Sequence, residues 1–177
     1  MPELLLGSGR RHEKLLVPPG RPSEWESLWT VDINPRHEPR HVWDLEKLPW
    51  PYEDSMFDEV HAYEILEHIG RQGDYRSYFA HFQEIWRILK PGGWLCGTSP
   101  SKNSPWIWGD PGHTRVISRE TFAFLSQREY EKQVDNGITP MTDYRFCYKG
   151  DFEWTDKWLN DSGEKFIFVI RAKKPEE

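Results

Sequence analysis

The chain has 177 residues, 37% of them hydrophobic, with 29 acidic against 23 basic side chains and a formal net charge of −6. That length suits one domain over 1–177, the 10 tryptophans give it more core-forming bulk than a disordered chain carries, and the acidic balance makes nucleic acid an unlikely partner. Two cysteines, Cys96 and Cys147, exclude a disulfide framework, no apolar run approaches the roughly 20 residues of a membrane span, and the start resembles no signal peptide, so a cytoplasmic protein is expected.

Leu4-Leu5-Leu6 is a short unbroken apolar run ended by Gly7-Ser8-Gly9, the pattern of a strand buried on both faces and closed by a tight turn. Leu28 to Val31, closing on Asp32, and His41 to Trp43, closing on Asp44, read as the next two strands. A fourth runs from Phe57 to Ala62, with an ambiguous period because Phe57 and Val60 need not share a face. Tyr75, Tyr78, Phe79, Phe82, Ile85, Trp86 and Leu89 then recur at three- and four-residue steps, which predicts an amphipathic helix capped by Asp74 and ended by Lys90-Pro91-Gly92-Gly93. Trp94 to Ser99 reads as a fifth strand, and Ser118 can cap a short helix through Leu125. Phe146 to Trp154 and Lys165 to Ala172 form a candidate antiparallel pair. Strands alternating with crossovers before a final hairpin describe an α/β, Rossmann-like, mostly parallel sheet, with ligands expected at the carboxyl ends of the strands.

At those ends, Gly7-Ser8-Gly9 lets backbone amides approach a ligand. Asp32, ending the second strand about 20 residues later, is placed to accept hydrogen bonds from a ribose. Asp44 ends the third strand in the same manner and suits an adenine amino group. The bland alternatives are a simple turn for the glycines and a capping role for Asp32.

Six segments then occur in order: Gly7-Ser8-Gly9, Val31-Asp32-Ile33, Trp43-Asp44-Leu45, Ser55 to Val60, Ile65-Leu66-Glu67-His68-Ile69, and Ile88 to Gly93. Together they resemble the motifs of class I S-adenosylmethionine-dependent methyltransferases, most closely the small type 11-like branch. The resemblance implies S-adenosylmethionine as cofactor, with Gly7, Ser8 and Gly9 against its methionine part and Asp32 on its ribose. It further implies Ile33 packing on the adenine, Asp44 and Leu45 at the adenine edge and face, and Tyr63 near the sulfonium.

This chain departs from the pattern in having Arg10-Arg11-His12 where a third glycine is usual. Pro18, Pro19 and Pro22 also forbid an uninterrupted helix in the first crossover, which is expected to be shortened or missing. Arg10 or Arg11 is the expected substitute for the lost helix dipole at the cofactor carboxylate.

Methyl transfer needs alignment and sometimes a base, so no loud catalytic motif is required. His113, in the turn-rich loop Gly109 to Arg115, is the candidate base. Arg115 is the candidate substrate-anion contact or a structural pin. Glu64 and His68 stand four apart on the helix read after strand four, sharing a face, and complete the candidate catalytic set. No metal site is expected, since beyond Glu64, Glu67 and His68 nothing shows ligand spacing. Trp106 and Trp108 form either a stacking wall for a planar or sugar-like substrate or a cap on the core; Trp154 and Trp158 are read as packing or edge-shielding. The leading expectation is transfer to an O or N atom of a small-molecule or sugar-like acceptor. The alternatives are a non-catalytic cofactor-binding accessory protein and a nicotinamide-dependent dehydrogenase.

Overall fold

The computed structural model describes residues 1–154, 157 and 159–175. β1 (Pro2–Leu6), β2 (Ser27–Asp32), β3 (His41–Val42), β4 (Phe57–Tyr63) and β5 (Leu89–Pro100) run parallel. β6 (Phe152–Glu153) and β7 (Leu159–Ser162) each pair antiparallel with β8 (Lys165–Ala172), which itself lies antiparallel to β5. The order across the sheet is β3-β2-β1-β4-β5-β8-β6, with β7 on β8. The sheet is thus mostly parallel with an antiparallel C-terminal end, as the sequence predicts.

On one face, Leu4, Leu6, Val31, Val60, Leu95 and Ile170 share a single core with the helix α1 (Tyr75–Ile88). The stripe of α1 buries Phe79, Phe82, Ile85 and Ile88, each contributing about 1.5–3 kcal/mol by leaving water. Asp74 caps the helix, its carboxylate accepting the Ser77 amide at 3.0 Å. The helix stops at Ile88, because Leu89 to Gly93 already belong to β5 rather than to a helix end. β4 carries a register shift between Phe57 and Glu59. The extra residues lie on β5, where Leu89 to Trp94 stand opposite Phe57 to Glu59, and both Phe57 and Val60 belong to the same core.

The other face has no helix over the first crossover. Residues 10–26 contain neither helix nor strand, as the three prolines require. The covering is polar instead. Lys14 Nζ lies 2.8 Å from Glu3 and 2.9 Å from Glu59, with all three side chains buried. His61 bonds Glu59 through Nε2 at 2.8 Å, and the Trp25 ring stands edge-on to His61. Burial opposes the Lys14 charge, but its bonds to the two glutamates win and hold its pKa above the ordinary value. Burial likewise works against the Glu59 carboxylate, yet His61 and Lys14 keep its pKa below the usual range.

The C-terminal end differs from the sequence reading. Only Phe152 and Glu153 of the expected first strand pair with β8, opposite Ala172 and Arg171. The other end of β8 pairs with β7, which the sequence did not reveal. The cause is the Tyr144–Tyr148 turn, closed by the Cys147 and Tyr148 amides on the Tyr144 carbonyl, which bends that stretch out of extended form. Trp154 packs half-buried against the core, and Trp158 lies outside the described residues.

Candidate active site

The ends of β1 and β2, with the segment after β3, open into a cleft of about 350 Å³ lined by Gly7, Asp32, Ile33, Asp44, Leu45 and Ile65, among others. Gly7 has φ of +56°, and a Cβ there would sit 2.6 Å from Ile65 Cγ1 and Cδ1. Only glycine fits both constraints. Gly9 also lines the cleft, and its amide donates to Asp32 Oδ2 at 2.8 Å, while the Asn34 amide donates to Oδ1 at 2.8 Å. Burial pushes the Asp32 carboxyl upward, but these amides and His37 outweigh it and hold it below its ordinary range. The Ser8 hydroxyl is buried beside the loop with no protein partner. Ile33 presents a 65% exposed apolar side chain on the rim.

A second pocket of about 260 Å³ adjoins it, lined by Glu64, His68, Trp106, Asp110, His113 and Lys165, among others. His68 lines both spaces. The loop carrying His113 is stapled in place by the Thr114 and Arg115 amides, which donate to the Glu67 carbonyl at 2.9 and 3.2 Å. His113 is almost buried, and its Nε2 stands 4.0 Å from Glu67 Oε1. Burial drives the Glu67 carboxyl up to about 7, helped by the negative charge of Glu64 and only partly offset by hydrogen bonds.

The structure thus brings Gly7, Gly9, Asp32, Ile33, Asp44 and Leu45 to one cleft, with Ser8 beside it, and Glu64, His68, His113 and Trp106 to the next pocket. Other expectations need correction. Glu64 and His68 do not share a helix face, because Glu64 is left-handed at φ 51° and only a 3-10 turn, Leu66–His68, follows. Tyr63 turns away from the cleft: its hydroxyl accepts the Leu15 and Leu16 amides, both at 3.2 Å, and lies 2.6 Å from His61 Nδ1. Arg10 and Arg11 are exposed and line neither space. Arg115 is a structural pin, since its guanidinium donates to the Arg71 and Asp74 carbonyls at 3.0 and 3.3 Å. Trp108 is 73% exposed and lines neither pocket, so the two tryptophans do not form a common wall. Sequence reasoning weighed Glu67 only with Glu64 and His68 as a metal set, and did not bring it beside His113. Its place inside the Leu66-Glu67-His68 segment was the available signal.

A family model described as a methyltransferase domain matches residues 25–97. Among solved structures, the chain is similar to a SAM-dependent methyltransferase from Archaeoglobus fulgidus, with 18% identity, TM-score 0.58, and coverage of 98% of this chain and 86% of that one. It is also similar to the N-methyltransferase NodS from Bradyrhizobium japonicum WM9, with 13% identity, TM-score 0.52 and coverage of 98% and 86%. The methyltransferase CalH, solved with SAH, matches at 14% identity and TM-score 0.54 over 96% of this chain and 51% of that one. No curated protein matches the chain. The sheet order, the strand-end cleft and these matches define the fold of a class I S-adenosylmethionine-dependent methyltransferase. The family model that matches over residues 25–97 is of the type 11 kind.

The Archaeoglobus neighbour is described as dependent on S-adenosylmethionine. The residues present fit it. A turn opened by a glycine at which a Cβ would have no room, an orphaned buried serine hydroxyl, an ionised aspartate and an apolar rim are the donor and acceptor set that an adenosyl amino acid calls for. Among the described residues, no helix is long and apolar enough to cross a membrane.

Proposed function

We propose that the chain transfers the methyl group of S-adenosylmethionine to an oxygen or nitrogen atom of a small-molecule or sugar-like acceptor held in the His113 pocket. One observation carries this reading: His68 lines both the strand-end cleft and the acceptor pocket, so their contents meet beside it. In this reading Asp32 accepts from both ribose hydroxyls, Ile33 and Leu45 pack on the adenine, and Asp44 meets its amino edge. Gly7, Ser8 and Gly9 lie against the methionine portion.

When bound, the cofactor supplies an activated methyl on an excellent leaving group. The chain's share of the work is alignment and management of one proton. His113, whose Nδ1 is buried and unpartnered, and Glu64, at the end of β4, are the groups set to accept a proton from an acceptor hydroxyl or ammonium. Trp106, 60% exposed at the pocket rim, offers a ring face to a planar or sugar-like acceptor.

The test is calorimetry with S-adenosylhomocysteine, followed by incubation of small-molecule extracts with methyl-labelled S-adenosylmethionine and mass spectrometry. Binding lost in Asp32→Ala, together with a labelled product absent when His113→Ala is used, is the expected result. Failure of the wild-type protein to bind S-adenosylhomocysteine or S-adenosylmethionine would sink the proposal.

A further inference from the structure

Glu67, His68 and His113 bring one carboxylate oxygen and two imidazole nitrogens within 4.8 Å of one another. His113 reaches this cluster from a loop 45 positions away in sequence, so spacing along the chain could not reveal it. Two of the groups point to a missing partner. Glu67 is 1% exposed, yet its Oε1 has no hydrogen bond, and His113 Nδ1 is buried and unpartnered as well. The 4.0 Å between Glu67 Oε1 and His113 Nε2 is too long for them to satisfy each other. A buried carboxylate oxygen without a partner costs free energy that something must offset.

The surroundings are those of a ligand set. His68 Nδ1 lies 3.1 Å from the Gly112 carbonyl, which can accept its proton and so leave the Nε2 lone pair available. Ser99 donates to the other Glu67 oxygen at 3.2 Å, orienting the carboxylate. The His68 and His113 rings meet edge to face with centroids 4.6 Å apart, as two ligands converging on one point do. Ligand atoms bound about 2.0–2.2 Å from an ion stand roughly 3.4 Å apart, so side-chain rotations of about an ångström close the site.

We infer that Glu67, His68 and His113 form a binding site for a divalent transition cation, with its remaining coordination positions open to the pocket lined by Glu64, Trp106 and Asp110. Two imidazoles and one carboxylate suit Zn²⁺ better than Mg²⁺ or Ca²⁺, which prefer all-oxygen sets. The use of the site rests on the methyltransferase reading: an acceptor hydroxyl occupying an open position is fixed beside His68 and made more acidic, and with His113 engaged on the cation its proton goes to Glu64. Binding of the cation itself does not depend on that reading.

The experiment is to strip the full chain with chelator, titrate it with Zn²⁺ by calorimetry, and count bound zinc after desalting by elemental mass spectrometry. One Zn²⁺ per chain is expected, with affinity falling in Glu67→Gln and in His113→Gln by more than the roughly 10- to 100-fold that losing an outer-shell partner costs. His12→Gln, outside the cluster, should bind as the wild type does. Titrating the unmodified protein with Co²⁺ gives a visible absorption band that Zn²⁺ displaces, which tests the site even if a variant does not fold. No zinc on the wild-type chain, or unchanged affinity in both variants with no Co²⁺ band, overturns the inference. S-adenosylhomocysteine calorimetry on the same preparations separates the two claims: zinc without cofactor binding removes the methyltransferase reading alone, and cofactor without zinc removes the cation site alone.

Discussion

The Gly9 amide donates to Asp32 Oδ2 at 2.8 Å, so the turn after β1 and the acid that ends β2 form one unit. The bond aligns the glycine loop and fixes the carboxylate that faces the cleft. Replacing Asp32 by Asn keeps the shape but removes the charge that the Gly9 and Asn34 amides solvate. Hydrogen bonds to charged groups are worth about 1.5–3 kcal/mol, so S-adenosylhomocysteine affinity should fall roughly 10- to 100-fold in calorimetry. The folded carboxyl has a pKa below its ordinary 3.8. Its contribution to stability is therefore complete above that value and is lost as pH falls through the lower folded value. Cofactor affinity that declines as pH falls from 8 to 5, in step with an acid titrating well above the ordinary aspartate value, would assign the ribose contact elsewhere.

Lys14 is the only cation that the described ion pairs place within 3 Å of Glu3 and Glu59. Lys14→Met leaves two buried carboxylates without their partner, a change that typically costs about 3–5 kcal/mol. A much lower unfolding midpoint in urea is the expected readout. The combination Lys14→Met, Glu3→Gln, Glu59→Gln removes the stranded charges and should recover part of the loss. Because the Glu59 pKa is depressed and the Lys14 pKa raised, the network's stabilisation holds at neutral pH. It disappears on the acid side as Glu59 protonates, and on the alkaline side only above the ordinary lysine range. A single mutant as stable as the wild type would show that the pairing contributes nothing net.

What was legible in the sequence follows from patterning. Strands buried on both faces read as unbroken apolar runs, so β1 and β2 and their terminal Gly7 and Asp32 were visible, and α1 declared itself by its stripe. The prolines announced a crossover without a helix. Charged residues inside strands, by contrast, read as solvent-facing, and nothing local told Glu3, Glu59 and Lys14 that they would neutralise one another in the interior. The same holds for Glu67 and His113, which meet only because the Thr114 and Arg115 amides bind the Glu67 carbonyl. Tyr63 stood at the expected strand end, but its hydroxyl was claimed by the first-crossover segment.

The Tyr63 hydroxyl tethers that segment to β4. Tyr63→Phe frees the Leu15 and Leu16 amides, which should exchange with deuterium faster than in the wild type, while global stability falls by about 1 kcal/mol. Cofactor affinity should stay within about twofold. A tenfold loss of affinity with unchanged exchange at Leu15 and Leu16 would return Tyr63 to the cleft.

Arg115 ties the His113 loop to the start of α1. Its guanidinium donates to the Arg71 and Asp74 carbonyls and lies 5.3 Å from the Tyr78 ring centroid. Gly70 packs so closely that a Cβ there would meet Arg115 Nη2 at 2.5 Å, so the side chain fills a fitted slot. Burial lowers its pKa, but an arginine stays charged at any physiological pH, which makes the tie independent of pH. Arg115→Met keeps the volume and removes the donors, leaving two carbonyls short of a partner at a cost of about 1–3 kcal/mol. The expected outcome is a lower melting temperature and faster deuterium uptake across Gly112 to Val116, with S-adenosylhomocysteine affinity unchanged. If Arg115 instead contacts an acceptor anion, the variant keeps its melting temperature and loses only turnover of anionic acceptors, and the pin assignment fails.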